Sequence, residues 1–94
     1  MTDHETFLEK LRAVHTFPTR YTFKLIGSSQ ATLEADARTA LHNEVPDADP
    51  DVRVRSSAHG NHLSVTLEVE MPDAETVARV YQAFHQIDGL AMLL

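Results

Sequence analysis

Ninety-four residues with 43% apolar and 23% charged content read as one small globular domain, 1–94, whose modest core gains from dimerisation. The chain has no cysteine, which removes disulfides, thiolate metal sites and cysteine nucleophiles. Fourteen Asp and Glu against eight Lys and Arg give a net charge of −6, which opposes binding to a nucleic-acid backbone.

The leading residues, 1–16, are polar and amphipathic. Phe7, Leu8, Leu11 and Val14 fall at helical spacing, so a helix is predicted, capped by Thr2 or Asp3. With no apolar leader and no apolar run of transmembrane length, the chain reads as cytoplasmic and not membrane-bound. Residues 21–26, YTFKLI, alternate: Tyr21, Phe23 and Leu25 share one face, and Thr22, Lys24 and Ile26 the other. Gly27-Ser28-Ser29-Gln30 breaks this period and opens a second helix from Ala31 to Val45, striped by Leu33, Ala37, Ala40, Leu41 and Val45. The following loop, VPDADPD at 45–51, stops that helix with two prolines and three aspartates.

Val52–Arg55 alternates again. The longer run from His62 to Met71 sets Leu63, Val65, Leu67, Val69 and Met71 on one face, against Ser64, Thr66, Glu68 and Glu70. The glycine-containing stretch AHGN makes the pair a hairpin. Asp73 then stands where an N-cap belongs, ahead of a third helix carrying Val77, Val80, Tyr81, Phe84 and Ile87. Asp88-Gly89 turns the chain into a short apolar strand, Leu90–Leu94.

A leading helix followed by β-α-β-β-α-β predicts an α+β, ferredoxin-like sandwich. Two helices would cover one face of a four-stranded antiparallel sheet of order 4-1-3-2, with the N-terminal helix as an addition. The uncovered face would display Thr22, Lys24, Arg53, Arg55, Ser64, Thr66, Glu68 and Glu70.

Phe17-Pro18-Thr19 with Phe23-Lys24 and Gly27, Ser56-Ser57 with Gly60-Asn61 and Ser64-Val65, and Tyr81 with Ile87-Asp88 and Met92-Leu93-Leu94 together resemble the YbeD-like family of small bacterial proteins of unknown function. The resemblance runs from about Phe17 to the last residue, so 17–94 is the family core. It implies a fold similar to ACT domains, the amino-acid-sensing modules of metabolic enzymes. It further implies a regulatory role, and a ligand held near the first strand-to-helix turn across a subunit interface.

That turn is the candidate site. A glycine leading into a helix leaves backbone N–H groups and a positive dipole end that suit a carboxylate, so Gly27, Ser28, Ser29 and Gln30 are the expected ligand-binding residues. The bland alternative is that Gly27 supplies backbone freedom and Ser28 or Ser29 caps the helix.

Other constellations fall short. His59 and His62 are two imidazoles where zinc takes three or four protein ligands, and Asp47, Asp49 and Asp51 enter at the opposite end of the sheet, so no metal or cofactor is expected. Glu68 and Glu70 face Lys24, Arg53 and Arg55, which suits cross-strand ion pairs better than acid–base chemistry. The open-face positions of the two central strands carry no aromatic side chain, which removes base stacking and with it RNA binding. Hydroxyls occur without a GxSxG motif or a His–Asp pair at a strand end, so no enzyme is expected.

The sequence therefore predicts a non-catalytic regulatory module, a homodimer, that binds a small amino acid or carboxylate. The alternative is an interaction adaptor with a protein partner and no small ligand. Arg53 and Arg55 discourage strand pairing at one edge of the sheet, and apolar Leu90–Leu94 invites it at the other.

Overall fold

The computed structural model describes residues 3–29 and 32–94; Thr2, Gln30 and Ala31, named above as a cap, a site residue and a helix start, lie outside the described residues. The described elements are α1 (Asp3–Val14), β1 (Thr19–Ser28), α2 (Leu33–Glu44), β2 (Asp51–Ser56), β3 (His62–Met71), α3 (Ala74–His85) and β4 (Leu90–Leu93).

The four strands form one sheet of order β2-β3-β1-β4, in which every neighbouring pair is antiparallel. The expected order, 4-1-3-2, is this one read from the opposite edge. β1 and β3 are the long central strands, and each buries one face. Phe23, Leu25 and Gly27 of β1 and Val65, Leu67, Val69 and Met71 of β3 are closed to solvent, while Thr22, Lys24 and Glu70 lie open.

Helix α2 packs on α3 and on both central strands; α3 also meets β4 and carries α1 on its outer side. Leu33, Ala37 and Leu41 come from α2 and Val77, Val80 and Phe84 from α3, all fully buried. Phe23 and Phe84 cross edge to face at the centre, with ring centroids 5.3 Å apart. Burying a ring of this size stabilises the fold by about 2–3 kcal/mol before entropy is counted.

Several expectations need correction. β1 runs from Thr19 to Ser28, two residues beyond the alternating stretch at each end. Gly27 and Ser28 pair with Leu63 and His62 of β3 and so belong to the strand, not to a turn. A long partner strand holds them in register despite their poor strand propensity. In α1, Leu8 and Leu11 are buried, but Val14 is 77% exposed and Phe7 sits at the rim. The helix packs on α3 through the stripe of Leu8 and Leu11, and Val14 lies outside that stripe.

Asp73 caps α3 as expected, its side chain accepting the Thr76 backbone N–H at 2.7 Å. Hydrogen bonding from the Thr76 side chain and from its backbone N–H holds the Asp73 carboxyl below the usual aspartate range, with Arg79 and Arg12 adding to the effect. The Phe17-Pro18 peptide bond is cis.

Candidate functional site

Two regions of the surface hold the residues that the sequence singles out, and the fold creates a third. The first is the end of β1. The Ser28 N–H donates to the Gly89 carbonyl at 3.1 Å and the Ser29 N–H to the Asn61 carbonyl at 3.2 Å. The Ser29 hydroxyl donates to the Gly60 carbonyl at 2.6 Å. These bonds lash β1 to the hairpin tip on one side and to the turn before β4 on the other, so both described serine N–H groups are spent inside the chain.

Neither serine caps α2. The N-cap is Thr32, whose hydroxyl donates to the Asp36 carboxylate at 2.8 Å instead of bonding the helix backbone. Gly27 does not supply a left-handed conformation either; positive φ belongs to Gly60 and Gly89. Its lack of a side chain answers a lack of space beside Gly89 and Leu33, at the point where the β1–β4 register shifts.

The second region is the open face of the sheet. Lys24 lies opposite Thr66, which lies opposite Arg53; one row along, Ile26, Ser64 and Arg55 are aligned in the same way. A shallow trough of about 440 Å³ is bounded by Lys24, Arg53, Arg55, Ser64 and Thr66. The expected cross-strand pairs with Glu68 and Glu70 are not formed. Register explains this: Glu68 lies opposite Thr22 and Asp51, and Glu70 opposite Arg20. Arg20 takes the acids, reaching Asp51 at 2.8 Å and Glu68 at 3.9 Å.

Elsewhere Arg12 stands against Glu75, Arg38 against Glu34 and Arg79 against Glu44. Among the described residues, Lys24, Arg53 and Arg55 form no ion pair. An acidic protein thus keeps three cations together and uncompensated. Alternation in the sequence put these residues on one face, but only the register reveals that they miss their carboxylates.

The third region was not anticipated. A groove of about 450 Å³ opens between α1, α3 and the β4 margin, walled by His4, Phe7, Tyr81, His85, Leu93 and Leu94. Tyr81 forms its inner wall, stacked edge to face with Phe7 and Phe23 and sharing a 3.0 Å hydrogen bond with the Tyr21 hydroxyl. Burial, reinforced by that bond, pushes the Tyr81 phenol well above its ordinary pKa, so it works as a neutral donor or acceptor. The helical spacing that carries Phe7 and Tyr81 was visible in the sequence. That α1 would lie beside β4's neighbour helix was not.

Among the described residues, no three His, Asp or Glu side chains gather as a metal cluster, and no helix is long and apolar enough to cross a membrane.

Comparison with known proteins agrees with this architecture. The family model described as "Protein of unknown function (DUF493)" matches residues 12–94. A UPF0250 protein of Buchnera aphidicola subsp. Schizaphis graminum is 31% identical over 85 residues, 90% of this chain and 97% of the relative. Among solved structures, protein HP0495 from H. pylori superposes with a TM-score of 0.73 at 14% identity, over 85% of each chain. The ACT domain from GTP pyrophosphokinase of Chlorobium tepidum superposes at 0.54 and 8% identity, over 80% of this chain and 94% of that one. Both structural likenesses speak to the fold alone. The match over nearly the whole length, with the curated relative beside it, means that the chain belongs to the DUF493/UPF0250 family, the YbeD-like family whose features it carries.

Proposed function

We propose that the chain is a non-catalytic binding module in a regulatory or adaptor role, working as a homodimer joined along the β4 margin. The observation that carries this reading is the character of that margin. Among the described residues β4 pairs with β1 on one side only, carries no charged side chain from Leu90 to Leu94, and leaves Met92 and Leu94 more than half exposed, with Leu94 in the wall of the Phe7–Tyr81 groove. An edge with unpaired backbone groups and no charged guard is a template for another strand, and a second copy supplies the same uncharged strand without like-charge contacts. The likeness to an ACT domain supports a regulatory use of the fold.

A small amino acid or carboxylate at Gly27–Gln30 is the less favoured reading, because the Ser28 and Ser29 N–H groups are already engaged within the chain. The test is sedimentation across a wide concentration range. The wild-type chain is expected to dimerise, and Met92→Lys is expected to shift it to monomer without loss of fold. A wild-type chain that stays monomeric at high concentration would remove the proposal.

A further inference from the structure

The opposite edge of the sheet has a different character, and its features are independent of the β4 contact. We infer that β2 is a docking edge for an extended acidic segment of a partner protein, one in which carboxylates alternate with apolar residues.

The backbone geometry comes first. Among the described residues β2 pairs with β3 alone, and no strand lies on its far side. The Ser57 N–H donates to the His62 carbonyl at 2.9 Å, and Ser57 and His62 continue the register in which Ser56 faces Leu63. In an antiparallel ladder the inward bonds fall on alternate residues. Arg55 and Arg53 therefore bond β3, while Val52, Val54 and Ser56 turn their N–H and C=O groups outward. An added strand finds those three residues waiting.

The side chains then select which strand. Arg53 and Arg55 project onto the open face two residues apart, without ion-pair partners among the described residues, and Lys24 stands behind Arg53 across Thr66. An extended chain also repeats every second residue, about 6.6 Å apart. Carboxylates at i and i+2 of an added strand thus lie directly beside the two arginines. The residue between them points to the other face, beside Val54, which is 44% exposed. An apolar side chain there would cover it. The surface asks for acid, apolar, acid.

The same charges exclude the simplest rival. Two copies pairing β2 antiparallel about Val54 would set each Arg53 against an Arg55, like charge on like. Nucleic acid is disfavoured by the absence of a stacking aromatic on this face and by the net charge of −6. Strand addition uses both the main chain and the arginines, so each can be removed separately.

The experiment uses a fluorescently labelled peptide of alternating glutamate and valine, with a control of equal composition in which the glutamates form one block. The alternating peptide is expected to bind with an affinity that falls as salt rises, and to shift the amide resonances of residues 51–56. Arg53→Gln combined with Arg55→Gln should weaken binding about tenfold. Val54→Pro, which removes an outward N–H and no ladder bond, should weaken it to a similar degree with both arginines intact. Equal binding of the block peptide, or of a thymidine oligonucleotide, would overturn the inference in favour of a plain anionic patch. Resonance shifts confined to Leu90–Leu93 would overturn it too, and that readout needs no variant to fold.

Discussion

The carbonyl oxygen of Gly89 stands 2.5 Å from the point that a Cβ on Gly27 would occupy, with Leu33 Cδ2 only 3.2 Å from it. Backbone of the β4 turn fills the place of a side chain. Since Gly27 lies in β1 with no positive φ, alanine is conformationally acceptable there and sterically excluded. Gly27→Ala is expected to destabilise the fold by about 1–3 kcal/mol, the range for forcing an atom into a packed site, and to loosen β4 first. Chemical denaturation with amide hydrogen exchange at Leu90–Leu93 checks both parts. Unchanged stability would show that the glycine is kept for some reason other than packing.

That contact also marks how far the sequence could be read. Alternation at Tyr21–Ile26 and His62–Met71 fixed the faces of both central strands, because a period of two leaves no other assignment when one face is buried. Asp73 was legible as a cap because the N–H three residues ahead is its natural partner. Gly27 was misplaced into a turn, since a lone glycine signals close approach and backbone freedom alike and only the neighbour across the sheet tells them apart. The ion pairs failed for a related reason. Sharing a face placed Glu68 among the cations, but the register put Arg20 nearer to it than Arg53. The groove depends on where α1 docks, and a stripe of Leu8 and Leu11 does not name the element that will cover it.

Helix α1 offers a test of which contact holds it. Arg12 and Glu75 form an ion pair between α1 and α3, with both side chains about half exposed. Pairs of that kind contribute little, commonly under about 1 kcal/mol, because water screens them and ordering two long side chains costs entropy. Leu11 is 6% exposed within the core cluster. Leu11→Ala is therefore expected to cost about 2–4 kcal/mol and Arg12→Ala less than about 0.5 kcal/mol, measured by urea denaturation. A larger loss for Arg12→Ala would move the anchoring of α1 from packing to charge.

Asp73 should make α3 sensitive to acid. Its folded pKa is lowered, chiefly by the hydrogen bonds from Thr76, so the native state holds fewer protons than the unfolded chain as pH falls through the carboxylate range. The stabilisation is then fully present above the unfolded aspartate value, about 3.9, and is lost as pH drops through the folded value beneath it. At neutral pH, Asp73→Ala is expected to cost about 1 kcal/mol, the ordinary loss for a missing cap. The difference between the two proteins should narrow below about pH 4. Paired denaturation curves across that range measure it, and a gap independent of pH would mean the carboxylate charge plays no part.

Tyr81 sets the alkaline limit. Its phenol is raised first by burial among Phe7, Phe23 and Tyr21 and second by the Tyr21 hydrogen bond. A folded pKa above the unfolded value of about 10 means stability that is whole below that pH and declines as pH climbs beyond it, because only the unfolded chain can release the proton readily. In Tyr21→Phe, Tyr81 is the sole tyrosine, so its phenolate absorbance is read without overlap. The hydrogen bond is gone in that variant, but burial, the larger cause, persists. The phenol should accordingly stay un-ionised well past pH 10 and appear together with the loss of the folded circular-dichroism signal. Ionisation near pH 10 in a chain that remains folded would show that water reaches the Tyr81 hydroxyl through the α1–α3–β4 groove, and that the aromatic wall there is open, not sealed.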